Sequence, residues 1–558
     1  MAAIDRRVGF LFLGFLLLLG LALTRATYLG AFKAGSLQRA ASTQQVVNVS
    51  IPATRGVISD RNGVQLALSE SAAEVTADPY LIKEPLPVAQ MLAPLLGQPV
   101  LTVLGKLTRP HTGYVVLAHQ ISSAQAQRIG SLRLGSAAID GITTTPDVKR
   151  VYPLGWTASQ LIGGVNDQGG DSGLEYADNR QLQGVNGERR VVDDARGEAI
   201  SIDEVRQMKP GKSLTLTLDV ALQNEVEQVL AGVGARYRPR RATAIVMNPN
   251  TGAILALANW PRVNANDPGA SPAWADADFA VGQDFDYEPG STFKAITVGG
   301  ALQDGLIAPN TEFNIPPVLQ VADRQIHDAD PHGDETLSTA GILKYSSNIG
   351  ADEIGLRLGA DRFNDWVHRF GFGSPTGVDL PGEEGGIILP VSKYSGSSMG
   401  NLPFGQGESV TPIQIATAYA AIANGGILRA AHVVSSIGDK AVRPPAGHRI
   451  LSPTTAAQLR QMLRGVFGDG GTASGAAIPG YDMAGKTGTA NIAIHGRYSD
   501  SKYVASFVGM VPAHHPQLLG LVVVDEPQGS IYGGSVAAPA FQRIIGWAVP
   551  HYGIDPGR

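Results

Sequence analysis

The sequence predicts a large α/β (α+β) domain, preceded by a mixed β-rich pedestal domain and one N-terminal transmembrane helix. Three observations carry that prediction. Residues 8–24 form an uncharged apolar run, residues up to about 210 alternate short strand patterns with turns, and the remainder mixes helical and strand periodicities. Composition narrows the function classes. Hydrophobic residues are 44% and charged residues 17% of 558, which excludes a disordered chain. Lys plus Arg is 44 against 49 Asp plus Glu, a net charge of −5 without the basic excess of a nucleic-acid binder. The absence of cysteine excludes disulfides, thiolate nucleophiles, zinc–thiolate sites and iron–sulfur clusters. The 68 glycines mark many turns.

Val8 to Thr24 spans roughly 25 Å as a helix, just short of a hydrocarbon core, and Tyr28 and Phe32 can extend it. Arg7 and Arg25 stand at its ends, where long basic side chains reach headgroups. A cleaved signal peptide is the competing reading. It calls for small residues after the run, and Arg25 stands there with no Ala-x-Ala at a plausible distance. The expected division is therefore a cytoplasmic tail over 1–7, a membrane anchor over 8–29, a non-catalytic pedestal over 30–210 and a catalytic domain over 211–558. The basic residues Arg6 and Arg7 before the run balance Arg25, Lys33 and Arg39 after it, so charge does not set orientation. The short tail favours an N-terminus in the cytoplasm and the bulk of the chain outside the cytoplasmic (inner) membrane.

Lys33 to Gln45 reads as a polar stalk and Val46 to Ile51 as a strand. Arg55 to Ala67 reads as a hairpin turned at Asn62-Gly63, residues that tolerate positive φ. Lys212 to Asp219 alternates as a strand, and Ala221 to Gly232 is an apolar-striped helix ended by glycine. Thr243 to Met247 and Gly252 to Ala258 are strands joined by Asn248-Pro249-Asn250-Thr251. Helices fill Ser291 to Leu306 and the small-residue stretch Pro412 to Asn424, whose alanines suit a packed core. Ala505 to Val511 and Leu518 to Val524 are strands, and Phe541 to Val549 is a closing helix.

Three short motifs can carry chemistry. Pro289-Gly290-Ser291-Thr292-Phe293-Lys294 places Ser291 and Lys294 one helical turn apart at a helix start, where free N–H groups suit an oxyanion. A lysine activates a serine when burial and neighbours lower its pKa. The bland alternative is a helix N-cap, and Ser499 to Lys502 repeats the Ser-x-x-Lys spacing. Lys344-Tyr345-Ser346-Ser347-Asn348 reads first as a helix start. Gly485-Lys486-Thr487-Gly488-Thr489 reads as a strand whose Lys486, Thr487 and Thr489 suit a carboxylate, with Gly488 marking a close approach. Gly480 to Thr487 also fits the letter of a phosphate loop, but a Pro/Gly turn precedes it and no helix opens at the lysine.

Taken in order, about 55 and 140 residues apart, Ser-x-x-Lys, Ser-x-Asn and Lys-Thr-Gly match the acyl-transfer set of penicillin-binding proteins and serine β-lactamases. The block Tyr287 to Lys294 resembles a penicillin-binding transpeptidase. Arg55-Gly56 with Asp60-Arg61-Asn62-Gly63 resembles the pedestal of the monofunctional, class B branch. Phe404-Gly405-Gln406-Gly407 through Thr411-Pro412, Asn424-Gly425-Gly426, Ser506-Phe507-Val508-Gly509 and Gly533-Gly534 extend the likeness over essentially the whole chain. Ser346-Ser347-Asn348-Ile349-Gly350 is most similar to the division-specific, FtsI-type enzymes; an elongation-specific transpeptidase is the alternative.

The resemblance implies a serine D-Ala-D-Ala transpeptidase that cross-links peptidoglycan stem peptides, without cofactor or metal. It implies Ser291 as nucleophile, Lys294 as its base, and Ser346 with Lys486 as the proton relay. Asn348 would bind donor backbone; Thr487, Gly488 and Thr489 would line the carboxylate side, with the N–H groups of Ser291 and Thr489 as oxyanion donors. β-Lactams would acylate the same serine. It implies as partners a SEDS-type glycan polymerase and division proteins, the membrane through the N-terminal helix, and no nucleic acid. A β-lactam sensor or slow β-lactamase would share the motifs but needs a hydrolytic base that the sequence does not reveal. A silent scaffold that only activates the polymerase would not need the intact motif residues.

Other polar clusters read as structural. His327 to Glu335 has a metal-like composition but lies in a Pro/Gly loop, His514-His515 in a turn, and Arg236 to Arg241 in a solvated basic run. Arg55, Asp60 and Arg61 read as paired charges that hold the pedestal. From the anchor reading, intact mass of the membrane-purified protein should show the N-terminal helix retained. A mature start between Ala26 and Ser42 would contradict it.

Overall fold

The structure, a computed structural model, describes residues 2–32, 46–193, 199–283, 285–494 and 496–556. The expected stalk at 33–45 lies outside them. Helix α1 (Ala2–Thr27) passes into a π-helical turn at Tyr28–Phe32. Within it Val8–Gly30 is long and apolar enough to cross a membrane, the one such helix among the described residues. Its leucines and phenylalanines are exposed along its length, an arrangement that water disfavours and lipid satisfies.

The chain divides into two compact units, and each is described by itself. The first comprises Met1–Thr54, Ser71–Lys149 and Gly184–Gly211. In it β1 (Val46–Ile51) pairs with β5 (Gly187–Asp193), which pairs with β6 (Ala199–Arg206), all antiparallel. In a second sheet, residues 72–77 of β2 (Gln65–Ala77) pair antiparallel with β3 (Val115–Ser122), and β4 (Ile142–Val151) also pairs with β2. Helices α2 (Pro85–Leu96) and α3 (Val100–Leu107) place Val88, Leu92 and Val103 against Val75 and Leu117 to form its core.

The second unit comprises Arg55–Glu70, Arg150–Gln183 and Lys212–Arg558. The sequence reading draws a single boundary near residue 210; by compactness 55–70 and 150–183 group with the C-terminal part. The physical reason is a charge cluster and a strand ladder. Fully buried Glu175 accepts from Arg55 Nε at 2.5 Å and Arg150 Nε at 2.6 Å. Arg150 also donates to Gly56 O at 2.8 Å, and Ile58 pairs in parallel with Leu214. Asp60 acts through the backbone rather than a paired charge, accepting from the N–H groups of Asn62, Val64 and Val220.

The centre of this unit is an antiparallel sheet of β7 (Arg241–Met247), β8 (Ile254–Trp260), β9 (Ala484–Ile494), β10 (Arg497–Val511) and β11 (Leu518–Asp525), in the order β8-β7-β11-β10-β9. Helix α4 (Val220–Tyr237) and the C-terminal helix pack with Ala242, Ala244 and Val246 on one face, while Ile245 and Met247 join the helices on the other. Burial on both faces explains why β7 reads as one continuous apolar run. Helix α4 continues past Gly232 and Gly234; Trp260 lies so close to Gly234 that a Cβ there would sit 2.2 Å from its ring, so Gly234 serves packing and Gly232 does not terminate the helix.

The site is built from α5 (Lys294–Gln303), α6 (Thr339–Tyr345), α7 (Asn348–Leu358) and α8 (Pro412–Ala423), with α9 (Gly533–His551) closing the opposite face. Every residue of α8 is buried, and Thr411 and Gln414 cap its start reciprocally. Strand β10 and helix α9 extend beyond their sequence-read bounds, and the expected strand at 212–219 keeps ladder geometry only at Leu214–Leu216. Glu175→Ala would leave two guanidiniums unpaired in a dry site, at a cost of about 3–5 kcal/mol. Thermal unfolding should show a large fall in Tm for this variant, and a melt unchanged from wild type would contradict the role given to Glu175.

Candidate active site

A turn of 3-10 helix at Gly290–Phe293 runs directly into α5, so Ser291 precedes Lys294 by one turn. Gly290 adopts φ +54, which a glycine supplies without strain. Three bonds fix this turn. Gly290 N–H donates to Gly405 O at 2.8 Å, the Thr292 hydroxyl to Pro289 O at 2.8 Å, and the Tyr419 hydroxyl to Thr292 O at 2.7 Å. The Phe404-Gly405 and α8 segments therefore act as the bed on which the turn lies. Ser291 is half-buried and Lys294 fully buried.

The Ser346 segment approaches from the junction of α6 and α7. Ser346 ends α6 in the left-handed conformation, φ 64, an uncommon backbone for a residue with a Cβ. Ser347 then caps α7, accepting from Gly350 N–H at 2.9 Å. Lys294 Nζ donates to Ser346 O at 2.5 Å, to Asn348 Oδ1 at 2.8 Å and to Ser346 Oγ at 3.2 Å. Asn348 gives its amide N–H to His327 O at 2.9 Å, so both ends of this side chain are engaged within the site.

Strand β9 supplies the third side. Lys486 is fully buried and donates to Ser346 Oγ at 2.9 Å. A hydroxyl accepts two bonds and still has one proton to donate, so Ser346 is poised to pass it onward. A Cβ at Gly488 would meet Ser506 Oγ at 2.2 Å and Pro289 O at 3.0 Å; the sequence reading of a close backbone approach finds its geometry here. The Thr489 hydroxyl accepts from Gly533 N–H at 3.0 Å, and the Thr487 hydroxyl pairs with Thr472 at 2.9 Å. The structure thus brings Ser291, Lys294, Ser346, Asn348, Lys486, Thr487, Gly488 and Thr489 to one region between α5, the α6–α7 junction and the edge strand.

Burial sets the electrostatics. Desolvation pushes Lys294 down to about 7, with Asp328 and Asp352 opposing that fall. Desolvation, joined by the charge of Lys294, holds Lys486 well below the usual lysine range. Such an arrangement can keep an amine neutral near pH 7, deliver a proton through a hydroxyl, and offer N–H groups to a developing oxyanion.

Several residues here escape the sequence motifs. Asp328 lies in the loop read as solvated. It accepts the Ser347 hydroxyl at 2.6 Å and the N–H groups of Asn348 and Ile349, and so anchors the start of α7. Asp328, His332 and Glu335 bring ligand atoms within 4.8 Å, but both oxygens of Asp328 are spent on the helix start and its side chain also pairs with His332 at 3.2 Å. Asp352 follows Asn348 by one turn and is fully buried. In the segments flanking the Ser291 turn, burial pushes Glu288 up to about 7 and Glu408 well above the carboxylate range, with Tyr498 donating to Glu288 at 3.2 Å. Their signal in the sequence is only a buried-type context around charged residues. The rival motifs find other roles. Lys486 is inside a strand, not at a helix start, and the exposed Lys502 pairs with Glu526 at 2.7 Å. His514 pairs with Asp482 at 2.5 Å.

Comparison with known proteins adds an independent line. Residues 242–546 match the penicillin binding protein transpeptidase domain, and 50–216 the penicillin-binding protein dimerisation domain. The chain is 31% identical to the probable peptidoglycan D,D-transpeptidase PenA of Neisseria gonorrhoeae over 557 residues, covering 99% of this chain and 93% of that protein. It is 31% identical to the peptidoglycan D,D-transpeptidase FtsI of Escherichia coli K12 over 551 residues, covering 97% and 91%. The crystal structure of penicillin-binding protein 3 from Mycobacterium tuberculosis complexed with aztreonam superposes with TM-score 0.71 at 28% identity, over 91% of this chain and 98% of that one.

Gly488→Ala should push β9 off the Ser291 turn. A displacement of about 1 Å costs on the order of 10²-fold in rate, so acylation by a fluorescent penicillin should fall by about that factor while the melt changes little. An unchanged acylation rate would show that the close approach is not required.

Proposed function

The chain belongs to the class B penicillin-binding proteins, peptidoglycan D,D-transpeptidases, and from that premise we propose that Ser291 is its acylated nucleophile and septal cell-wall synthesis its setting. The observation that supports the site assignment best is the convergence of two buried lysines on one hydroxyl beside the Ser291 turn. Neutral Lys294 takes the Ser291 proton as the oxygen attacks the carbonyl of the penultimate D-Ala of a stem peptide. The N–H groups of Ser291 and Thr489 hold the oxyanion, and Ser346, resupplied through Lys486, protonates the departing D-Ala. Lys486, Thr487 and Thr489 hold the terminal carboxylate, with Gly488 leaving room for the donor strand. Asn348 orients Lys294 through its Oδ1, and reaches donor backbone when the bound peptide displaces one of its present partners. An amine of a neighbouring stem peptide then resolves the acyl-enzyme.

A β-lactam enters the same sequence and stops at the acyl-enzyme; that the Mycobacterium tuberculosis relative forms complexes with aztreonam and with ampicillin supports this reading. Likeness to the FtsI protein supports the division role over elongation. Helix α1 would be the single-pass anchor in the cytoplasmic membrane, with the soluble bulk outside it, as the apolar span at Val8–Gly30 suggests. Residues 30–210 would then be the pedestal that meets a SEDS-type polymerase and division proteins, and 211–558 the transpeptidase domain.

The test is covalent labelling. Penicillin-treated protein should carry one adduct, on the tryptic peptide containing Ser291, absent in Ser291→Ala. Lys294→Arg should lose about 10²- to 10⁴-fold in acylation, because arginine stays protonated. Wild-type acylation should fall as pH drops through about 7, since protonation removes the amine lone pair that Lys294 needs. An adduct elsewhere, or an active Lys294→Arg, would overturn the assignment.

A further inference from the structure

One group beside Lys294 has no part in the acyl-transfer scheme. Asp352 lies on α7 four residues after Asn348, and residues at that spacing share a helix face. Asn348 uses that face to accept from Lys294 Nζ at 2.8 Å. Asp352 is fully buried, and neither of its carboxyl oxygens has a hydrogen-bond partner among the described residues. A buried carboxylate with no donor is costly. A structural role would have supplied it with N–H or O–H groups, as Asp328 at the start of the same helix is supplied by the Ser347 hydroxyl and by backbone N–H groups. The compensation for a negative charge at Asp352 is the Lys294 ammonium.

We propose that Asp352 is a positioning residue that shares one proton with Lys294, so that the amine is free for Ser291 when the Asp352 carboxyl holds the proton. The step balances: Lys294–NH3+ with Asp352–COO− becomes Lys294–NH2 with Asp352–COOH, and no other reactant enters. This inference rests on the assignment of Lys294 as base. Every charged group facing the pair bears on it. Asp328 from the preceding loop and Asp352 favour the ammonium of Lys294, Lys486 from β9 lies on the far side of Ser346 Oγ and opposes it, and Asp328 with Glu353 raises the proton affinity of Asp352. Burial moves both partners toward the neutral form, Lys294 down to about 7 and Asp352 up to about 8, which is the condition for a shared proton.

An ionised Asp352 makes Lys294 harder to deprotonate, so its removal makes the amine free at lower pH. The second-order rate of acylation by a fluorescent penicillin is measured against pH for the full-length protein and for Asp352→Asn. The acid limb of the Asn variant should move to lower pH by about one unit. Asp352→Glu, which keeps the carboxyl, should lie close to wild type. If the Asn variant does not fold, Asp352→Ser removes the same charge and is read the same way. A midpoint that stays at the wild-type pH in the charge-removing variants, whatever the plateau rate, overturns the inference. Failure of the wild type to acylate at Ser291 would instead overturn the base assignment beneath it.

Discussion

Two lysine amines buried around the hydroxyl of Ser346 impose the constraint that the rest of this site answers. An ammonium in a dry pocket is expensive, and two of them a few ångströms from one hydroxyl repel as well. The protein meets that cost by letting both amines lose proton affinity, by giving Lys294 three oxygen acceptors, and by bringing acidic groups near it. What would be a liability in a structural core is the requirement of a serine acyltransferase, which needs a lysine that is neutral near pH 7 and a hydroxyl that can relay a proton.

That geometry depends on three segments far apart in sequence. The Ser291 turn is held by Gly405 and by Tyr419 of α8. The left-handed Ser346 closes α6 and redirects the chain into α7. Strand β9 reaches the turn because Gly488 has no side chain. The antiparallel sheet, buried on both faces, makes β9 a rigid edge and so turns a pair of flexible lysines into positioned ones. The anchor helix and the first unit contribute nothing to these distances; they bear on where the reaction takes place.

The three motifs were legible in the sequence because each needs fixed residue types at fixed spacing, and their order separated Ser291 from the exposed Ser499 copy. Gly488 could be read as a close approach because a glycine inside a strand weakens it without such a reason. The apolar runs at Val8–Thr24 and Thr243–Met247 announced an anchor and a buried strand. Asp328 was not legible as a helix anchor, since its loop has the composition of a solvated one and only the fold brings it to Ser347. Glu175 and the grouping of 55–70 with 150–183 were equally hidden, because an ion pair between distant residues leaves no local pattern. Gly232 misled as a helix end, because α4 runs on through it to Gly234, which is matched to Trp260 and not to a terminus.

Acyl transfer by this site turns on Lys294 being uncharged for much of the time at neutral pH. Nitrogen-15 NMR of the full-length protein labelled at lysine, with the Lys294 signal assigned by its loss in Lys294→Arg, reads that protonation directly. The account calls for a Nζ resonance that titrates near pH 7, about three units below an ordinary lysine. A Lys294 signal that remains that of an ammonium until about pH 10, where an ordinary lysine titrates, would contradict it.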